Sequence, residues 1–240
     1  MSMLLTTVLL CAQTDVLERW GSLLYEVETA RLAEEDVAAE VKAGADEKAL
    51  RGFRAKDVEP RRRRIQELAK ALEVEATPAV VRERFAAAKK KHAESLEKDP
   101  AARIRWTERQ IHELYAPLVT LNARGFAAVK GYQKLAEAGD GERALWKVWA
   151  AREFLPRNEA TRNVIEAKLF LVEGEGLSEP FLDFLLHQHS WARRHARWEA
   201  EKGDYDWGSR TNWPVAFSME CEKTYQALLD RRARLVAGEK

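Results

Sequence analysis

The densest group of chemically capable side chains in this 240-residue sequence lies between residues 181 and 198, which hold three of the five histidines. Metal ligands contributed by one helix must be three or four positions apart, because only those spacings share a face. His187 and His189 are separated by about 200° around a helix, at roughly 100° per residue. The run therefore does not predict a helical zinc site.

One side of the same segment combines an acid, a histidine, aromatic rings and a base. Asp183 lies one helical turn before His187, and Trp191, Arg194 and Trp198 continue that side. This face predicts a small-ligand or acid–base site, although one titratable pair without a nucleophile defines no reaction. The favoured interpretation is a core histidine held by a hydrogen bond to the residue four positions away.

Two basic runs are the candidates for nucleic-acid binding. They are Arg61, Arg62, Arg63 and Arg64, and Lys89, Lys90 and Lys91. Such clusters can contact phosphates, but consecutive residues fan out around a helix axis. Neither run alternates with the aromatic side chains on which single strands stack. A solvated face opposite an acidic helix is the favoured interpretation of both.

The remaining motifs exclude several kinds of chemistry. Cys11 and Cys221 lie at opposite ends of the chain and predict neither a metal site nor a disulfide. Asp204 and Asp206 alternate as in a calcium loop, but no glutamate completes the pattern. Glycine-rich phosphate loops and a GxSxG motif are absent from the sequence. We predict no catalytic residue, no metal and no cofactor.

The elements that carry these residues are predicted to be helices. Charged residues make up 33% of the chain, with only 7 Pro and 12 Gly, a composition typical of long solvated helices. The apolar residues Val16, Trp20, Leu23 and Val27 follow one another in steps of four and three, which is a heptad seam. The pattern predicts one helix from about residue 3 to 43, ending at Gly44.

Charge indicates what packs against that helix. Residues 15–42 are mainly acidic and residues 51–92 mainly basic, so an antiparallel return of the chain would pair opposite charges. Pro60 is expected in the first turn of a helix, and Thr77 and Asp99 are expected as N-caps.

Two later prolines are expected to interrupt the helices that contain them. Pro117 should kink the helix 101–138, whereas Pro156 should end one helix shortly before Asn158 caps the next.

The predicted fold is all-α. Residues 1–100 are expected to form a long helical hairpin or coiled-coil-like arm, and residues 101–240 a C-terminal helical bundle, with the helix 101–138 shared between them.

Several short stretches between residues 112 and 235 form a recognisable pattern. They are HELYAPL from His112, FLPRNE from Phe154, FLDFLLH from Phe181, and Trp198 followed by Asp204-Tyr205 and Trp213-Pro214. This half of the chain resembles a loose group of uncharacterised bacterial helical proteins. The resemblance implies no activity, but Tyr115, Pro117, Asn158, His187 and Trp198 fall on its shared pattern and are carried over as a candidate pocket.

The apolar start of the chain bears on its location. Members of that group often begin with a membrane helix, whereas the apolar run here, residues 3–12, is shorter than the ~20 residues that span a bilayer. No basic segment of a signal peptide precedes it. We expect a buried helix and a cytoplasmic protein, with membrane attachment through residues 3–12 as the alternative.

The favoured function is that of a non-catalytic helical interaction or scaffold protein. The seam is expected to mediate self-association into a homo-oligomer or to bind a partner protein. One alternative is a nucleic-acid-associated accessory protein that uses the basic faces, although the formal net charge of +1 supplies no general attraction to nucleic acid. The other is a small-ligand binder or enzyme centred on the 183–198 helix.

Overall fold

Seven helices and the short turns between them make up the described residues of a computed structural model, which are 2–42, 47–136, 142–201 and 213–238. The helices are α1 (Ser2–Lys42), α2 (47–71), α3 (Pro78–Leu96), α4 (100–136), α5 (142–168), α6 (Glu179–Glu201) and α7 (Val215–Val236). A 3-10 turn, Leu169–Leu171, follows α5. This part of the chain contains no strand, so the all-α prediction is confirmed.

Several predicted helix boundaries are confirmed by their caps. Thr77 Oγ1 accepts a hydrogen bond from the Val80 N–H at 3.4 Å, and Asp99 Oδ1 accepts one from the Ala102 N–H at 3.0 Å. The helix predicted for residues 3–43 corresponds to α1. Its predicted end at Gly44, and the loop that holds Asp204 and Asp206, lie outside the described residues.

Three prolines lie inside continuous helices. Pro60, Pro117 and Pro156 belong to α2, α4 and α5. A π-helical turn ends two positions before each of them; these turns are Arg54–Val58, Gln110–Tyr115 and Ala150–Phe154. In each case the residue just before the proline donates its N–H to the carbonyl five positions earlier, as Leu155 does to Ala150.

These turns explain how the chain stays helical through its prolines. A proline ring in a regular helix clashes with the carbonyl four positions earlier, and one extra residue in the preceding turn changes that register. Pro60 lies in the first turn of the α-helical segment Glu59–Ala71, as predicted, although the chain is already helical before it. The prediction that Pro156 ends a helix is wrong, because α5 continues through it. Asn158, predicted as an N-cap, lies within α5 and is buried.

The core is built around α1. Residues 23–30 are all buried, and eight residues exceed two turns of a helix at about 3.6 residues per turn, so neighbours enclose this stretch on every side. The most extensive packing of α1 is with α3, followed by α2 and α6. Of the predicted seam residues, Leu23 and Val27 are buried in this core, Trp20 is half-buried, and Val16 is 46% exposed.

One cluster of buried apolar side chains has members from all seven helices of the described chain. Gly21 of α1 lies so close to Phe170 that a Cβ on residue 21 would be 3.0 Å from the Phe170 backbone nitrogen.

The coiled-coil geometry of the arm is not confirmed, and the division of the chain at residue 100 stays a prediction.

The pairing of an acidic first helix with a basic return is confirmed by three ion pairs. Glu26 bonds Arg61 at 2.9 Å, Glu34 bonds Arg62 at 2.5 Å, and Glu28 bonds Arg82 at 2.5 Å. Within the described residues, no helix has an apolar stretch long enough to cross a bilayer.

The π-helical turns make a testable prediction about proline tolerance in α2. Pro60→Ala is expected to change the free energy of unfolding by no more than about 1 kcal/mol, because the turn before Pro60 already accommodates the ring. Gln66→Pro, at an exposed position of the regular part of the same helix, is expected to cost about 3 kcal/mol or more. Urea denaturation of both variants measures the difference, and equal losses would contradict it.

Candidate functional site

His187, the predicted centre of a site, lies in the middle of α6 and is buried. The Asn158 side-chain amide nitrogen is 3.5 Å from His187 Nε2. If that amide donates, a neutral imidazole carries its proton on Nδ1. The His187 ring centroid is 5.8 Å from that of Trp191 and 5.5 Å from that of Trp213. The histidine is thus part of an aromatic cluster between α5, α6 and the start of α7.

The other residues predicted to share its face lie in different surroundings. Asp183 is exposed. Arg194 is half-buried and lies 3.5 Å from a carboxylate oxygen of Glu40. Trp198 is half-buried, and the Lys147 Nζ lies 4.7 Å from its ring centroid. Trp191 contacts His187, whereas Asp183 lies on an exposed part of α6. The five-residue site stays a prediction.

Arg157 is the unusual charged residue beside this cluster. Its Nη2 donates to the Asn158 amide oxygen at 2.9 Å, and its guanidinium carbon lies 4.6 Å from the Trp213 ring centroid and 5.6 Å from that of Phe154. No carboxylate of the described residues forms an ion pair with it, and its Nε is buried without a hydrogen-bond partner. Burial lowers the pKa of this guanidinium to about 10.

Two features of the backbone lie next to the Arg157 side chain. A Cβ on Gly125 of α4 would lie 1.8 Å from Arg157 Nη1, so a larger residue here would displace the guanidinium. The π-helical turn before Pro156 places Phe154 in the core. Sequence reasoning missed Arg157, and the one local signal was the helix-interior proline directly before it, since π-helical turns are frequent at functional sites.

A second buried polar group connects α1, α2 and α6. The Arg193 guanidinium donates to the Asp36 carboxylate at 2.6 and 3.0 Å and to Glu40 at 2.7 Å. All three residues are less than 9% exposed. The Nδ1 of buried His189 lies 3.2 Å from an Asp57 carboxylate oxygen. Burial lowers the pKa of His189, so at neutral pH the neutral ring donates from Nδ1 to Asp57.

The arginine run faces the acids of α1. Arg61 and Arg64 both bond Glu26, at 2.9 and 3.1 Å, and Arg62 bonds Glu34. Arg63 is exposed.

The lysine run contributes one side chain to the interior. Lys89 Nζ donates to the carbonyl oxygens of Val172 at 2.5 Å and Phe170 at 3.4 Å, and burial lowers its pKa to about 8. Lys90 and Lys91 are exposed. Of the seven basic residues predicted to contact nucleic acid, Arg61, Arg62, Arg64 and Lys89 therefore have partners within the chain.

Comparison with protein-family models, with curated proteins and with solved structures finds no match for this chain. The resemblance of the C-terminal half to bacterial helical proteins stays a prediction.

Metal-ligating and nucleophilic groups are the remaining chemistry to locate in the described residues. No group of three or more histidine, cysteine, aspartate or glutamate side chains in this part of the chain could hold a metal ion. The Cys221 thiol is buried, which raises its pKa and opposes formation of the nucleophilic thiolate. His187 lies among aromatic rings and amides without an adjacent nucleophile, so its geometry defines no reaction.

Buried Arg193 and half-buried Arg157 make a testable prediction. Arg193→Met is expected to lower the free energy of unfolding by about 3–5 kcal/mol, because it leaves Asp36 buried without its cation and Glu40 with only Arg194 nearby. Arg157→Met is expected to change it by no more than about 1 kcal/mol or to raise it, because it removes a desolvated cation that has no carboxylate partner. Urea denaturation measures both, and similar losses in the two variants would contradict the distinction.

A buried histidine on α3 makes a second prediction, about pH. His92 is 4% exposed, its ring centroid lies 4.2 Å from that of Trp106, and neither ring nitrogen has a hydrogen-bond partner among the described residues. Burial, with the nearby cations Lys89 and Arg109, lowers its pKa from 6.5 to about 4. Between these values the unfolded chain binds a proton at this position that the folded chain does not bind.

The free energy of unfolding should therefore decrease as the pH falls through that range, by up to about 1.4 kcal/mol per pH unit from this residue. The His92→Phe variant lacks this contribution. Between pH 7 and about pH 4 its free energy of unfolding should therefore fall less than that of the wild type. Denaturation curves at several pH values measure it. Parallel pH profiles for the two proteins would show that the His92 pKa is not lowered.

Proposed function

We propose that this chain is a non-catalytic helical interaction protein that binds an acidic, amphipathic helix of a partner protein. The surface proposed for binding is formed by the C-terminal part of α4 and the N-terminal part of α5, and we call it the hairpin surface. Its apolar residues are Phe126, Val129, Leu135 and Val148, and its basic residues are Arg124, Lys130, Lys134, Lys147 and Arg152. The observation that carries the proposal is this combination of exposed apolar and basic side chains.

The apolar part of the hairpin surface is unusually exposed. Phe126, Val129, Leu135 and Val148 are between 38% and 52% exposed, and they are four of the nine large apolar side chains exposed in the described part of the chain. Exposed apolar side chains that lie together are typical of binding sites. Phe126 and Val129 are three positions apart and share one face of α4, as an anchor pair for a docked helix should.

The two helices that present these residues are packed against each other. The Tyr132 ring centroid lies 4.9 Å from that of Trp146 and 6.5 Å from that of Trp149. A Cβ on Gly131 would lie 3.0 Å from the Trp149 ring, so the helices approach closely at this point. Such ring contacts support a preformed surface, which binds at a lower entropic cost than one that orders on binding.

Charge favours an acidic partner. All five charged side chains described in residues 116–152 are basic and exposed. Opposite charges across an interface accelerate association and select among partners. Basic side chains beside exposed apolar ones fit the acidic and apolar sides of an amphipathic helix.

The proposal changes the predicted location of the interaction. The heptad seam of α1 was expected to associate with a partner, but Leu23 and Val27 are buried within the chain and would be exposed to a second molecule only by unfolding. Val16 remains exposed at 46%. It is close in exposure to Phe126, at 45%, and therefore serves as a matched control position.

Site-specific photo-crosslinking tests the proposal. A photoreactive phenylalanine analogue is placed at position 126 in one protein and at position 16 in another, and the crosslinked peptides are sequenced from extracts of the source cells. We expect adducts at position 126 that are absent at position 16, and we expect them to map to amphipathic, acidic segments. Equal adducts at both positions, or adducts to lipid or to a second copy of this chain, would refute the proposal.

Charge reversal then tests the basic part of the hairpin surface. The double variant Lys130→Glu/Lys134→Glu is expected to bind a synthetic peptide of the mapped segment at least about tenfold more weakly, because two attractive charge pairs become repulsive. Lys90→Glu/Lys91→Glu changes two exposed lysines of α3 and should bind as the wild type does. Equal affinity of both double variants, measured by calorimetry, would count against the proposed electrostatic contact.

A further inference from the structure

A cleft with a volume of about 390 Å³ lies between α1, α2 and α5, away from the hairpin surface. Its walls include Ser22, Tyr25 and Glu26 of α1, Arg64 of α2, and Asn163 and Glu166 of α5. Clefts of roughly 300–1,000 Å³ are typical of small-molecule sites. Most of these side chains are polar, so a ligand there would be held by hydrogen bonds and charge.

Two carboxylates face this cleft in different states of pairing. Glu26 is 4% exposed and bonds both Arg61 and Arg64. Burial nevertheless raises its pKa, and the negative charge of Glu166 adds to that rise. Glu166 is half-buried, and its side chain forms no hydrogen bond or ion pair with any described residue. The cleft thus contains one carboxylate without a cation, close enough to a second to repel it.

A tyrosine hydroxyl supplies an independent sign of a ligand. Tyr25 is 0% exposed, and its hydroxyl has no hydrogen-bond partner among the described residues. Burial raises the pKa of this hydroxyl to about 12, so it stays protonated, and its oxygen can accept a hydrogen bond. Buried hydroxyls without a partner are rare in folded proteins, and this one belongs to a residue that lines the cleft.

We propose that the cleft binds the primary ammonium group of a small amine. An ammonium has three donors and no acceptor, and three of the residues that line the cleft carry acceptors: the carboxylates of Glu166 and Glu26 and the hydroxyl oxygen of Tyr25. A cation between the two carboxylates also removes their repulsion.

Other ligand classes fit the cleft less well. A metal ion would need a third acidic, histidine or cysteine ligand, and no such group of three exists in the described residues. An anion would need a cation that is not already paired, whereas Arg64 bonds Glu26 at 3.1 Å. The inference does not depend on the hairpin surface, which lies on other parts of α4 and α5.

Calorimetric and NMR titration of the full chain with ethylamine tests the inference, with ethanol and acetate as neutral and anionic controls. We expect saturable binding of ethylamine alone. Glu166→Gln, which keeps the size of the side chain and removes its charge, should weaken binding at least about tenfold. Tyr25→Phe should weaken it severalfold without loss of stability, because it removes a hydroxyl that has no partner in the chain.

Glu159→Gln is the matched control, because Glu159 is an exposed acid of the same helix and does not line the cleft. It should bind ethylamine as the wild type does. Failure of ethylamine to bind, unchanged binding by Glu166→Gln, or competition by acetate would each overturn the inference.

A parallel titration with putrescine and with a lysine blocked at its amino and carboxyl groups identifies the source of the ammonium. Tighter binding of the free amines supports a small-molecule ligand, and tighter binding of the blocked lysine would assign the ammonium to a peptide instead.

Discussion

The burial of four carboxylates along α1 is the constraint on which the arrangement of the other helices depends. Glu26, Glu28, Asp36 and Glu40 are each less than 9% exposed. A carboxylate removed from water must be paired with a cation and hydrogen-bonded, or it loses more solvation energy than the fold can replace. Their partners come from three helices: Arg61 and Arg64 from α2, Arg82 from α3, and Arg193 from α6. The ion pairs therefore help to determine which helices enclose α1 and at which position along α1 each of them packs.

The same helix shows which part of the fold the sequence predicts and which part it does not. Steps of four and three identified an apolar seam, and Leu23 and Val27 on that seam are buried as expected. Glu26, Asp36 and Glu40 follow similar steps on a neighbouring stripe, and a stripe of acids is normally interpreted as a solvated face. Its burial depends on distant arginines, one of them 153 residues further along the chain. Local periodicity carries no information about such partners.

The helix end expected at Pro156 differs from the structure, and the predicted site residues of α6 lie in different surroundings, for a related reason. Proline rules locate the strain in a helix but do not say whether the helix ends or adopts a π-helical turn, since tertiary packing on both sides of the proline decides between these outcomes. Helical spacing likewise placed Asp183, His187 and Arg194 on one face. Because α6 touches several neighbours, Asp183 is exposed, His187 contacts an aromatic cluster, and Arg194 reaches Glu40.

The contrast between satisfied and unsatisfied polar groups distinguishes structure from function in this molecule. Arg193 has two carboxylate partners at hydrogen-bond distance, and such an arrangement is explained by the fold alone. Arg157, the Tyr25 hydroxyl and Glu166 lack comparable partners in the described chain. Folding free energies are small differences between large contributions, and a polar group without a partner reduces them, so such groups are the first places to look for contact with something outside the fold.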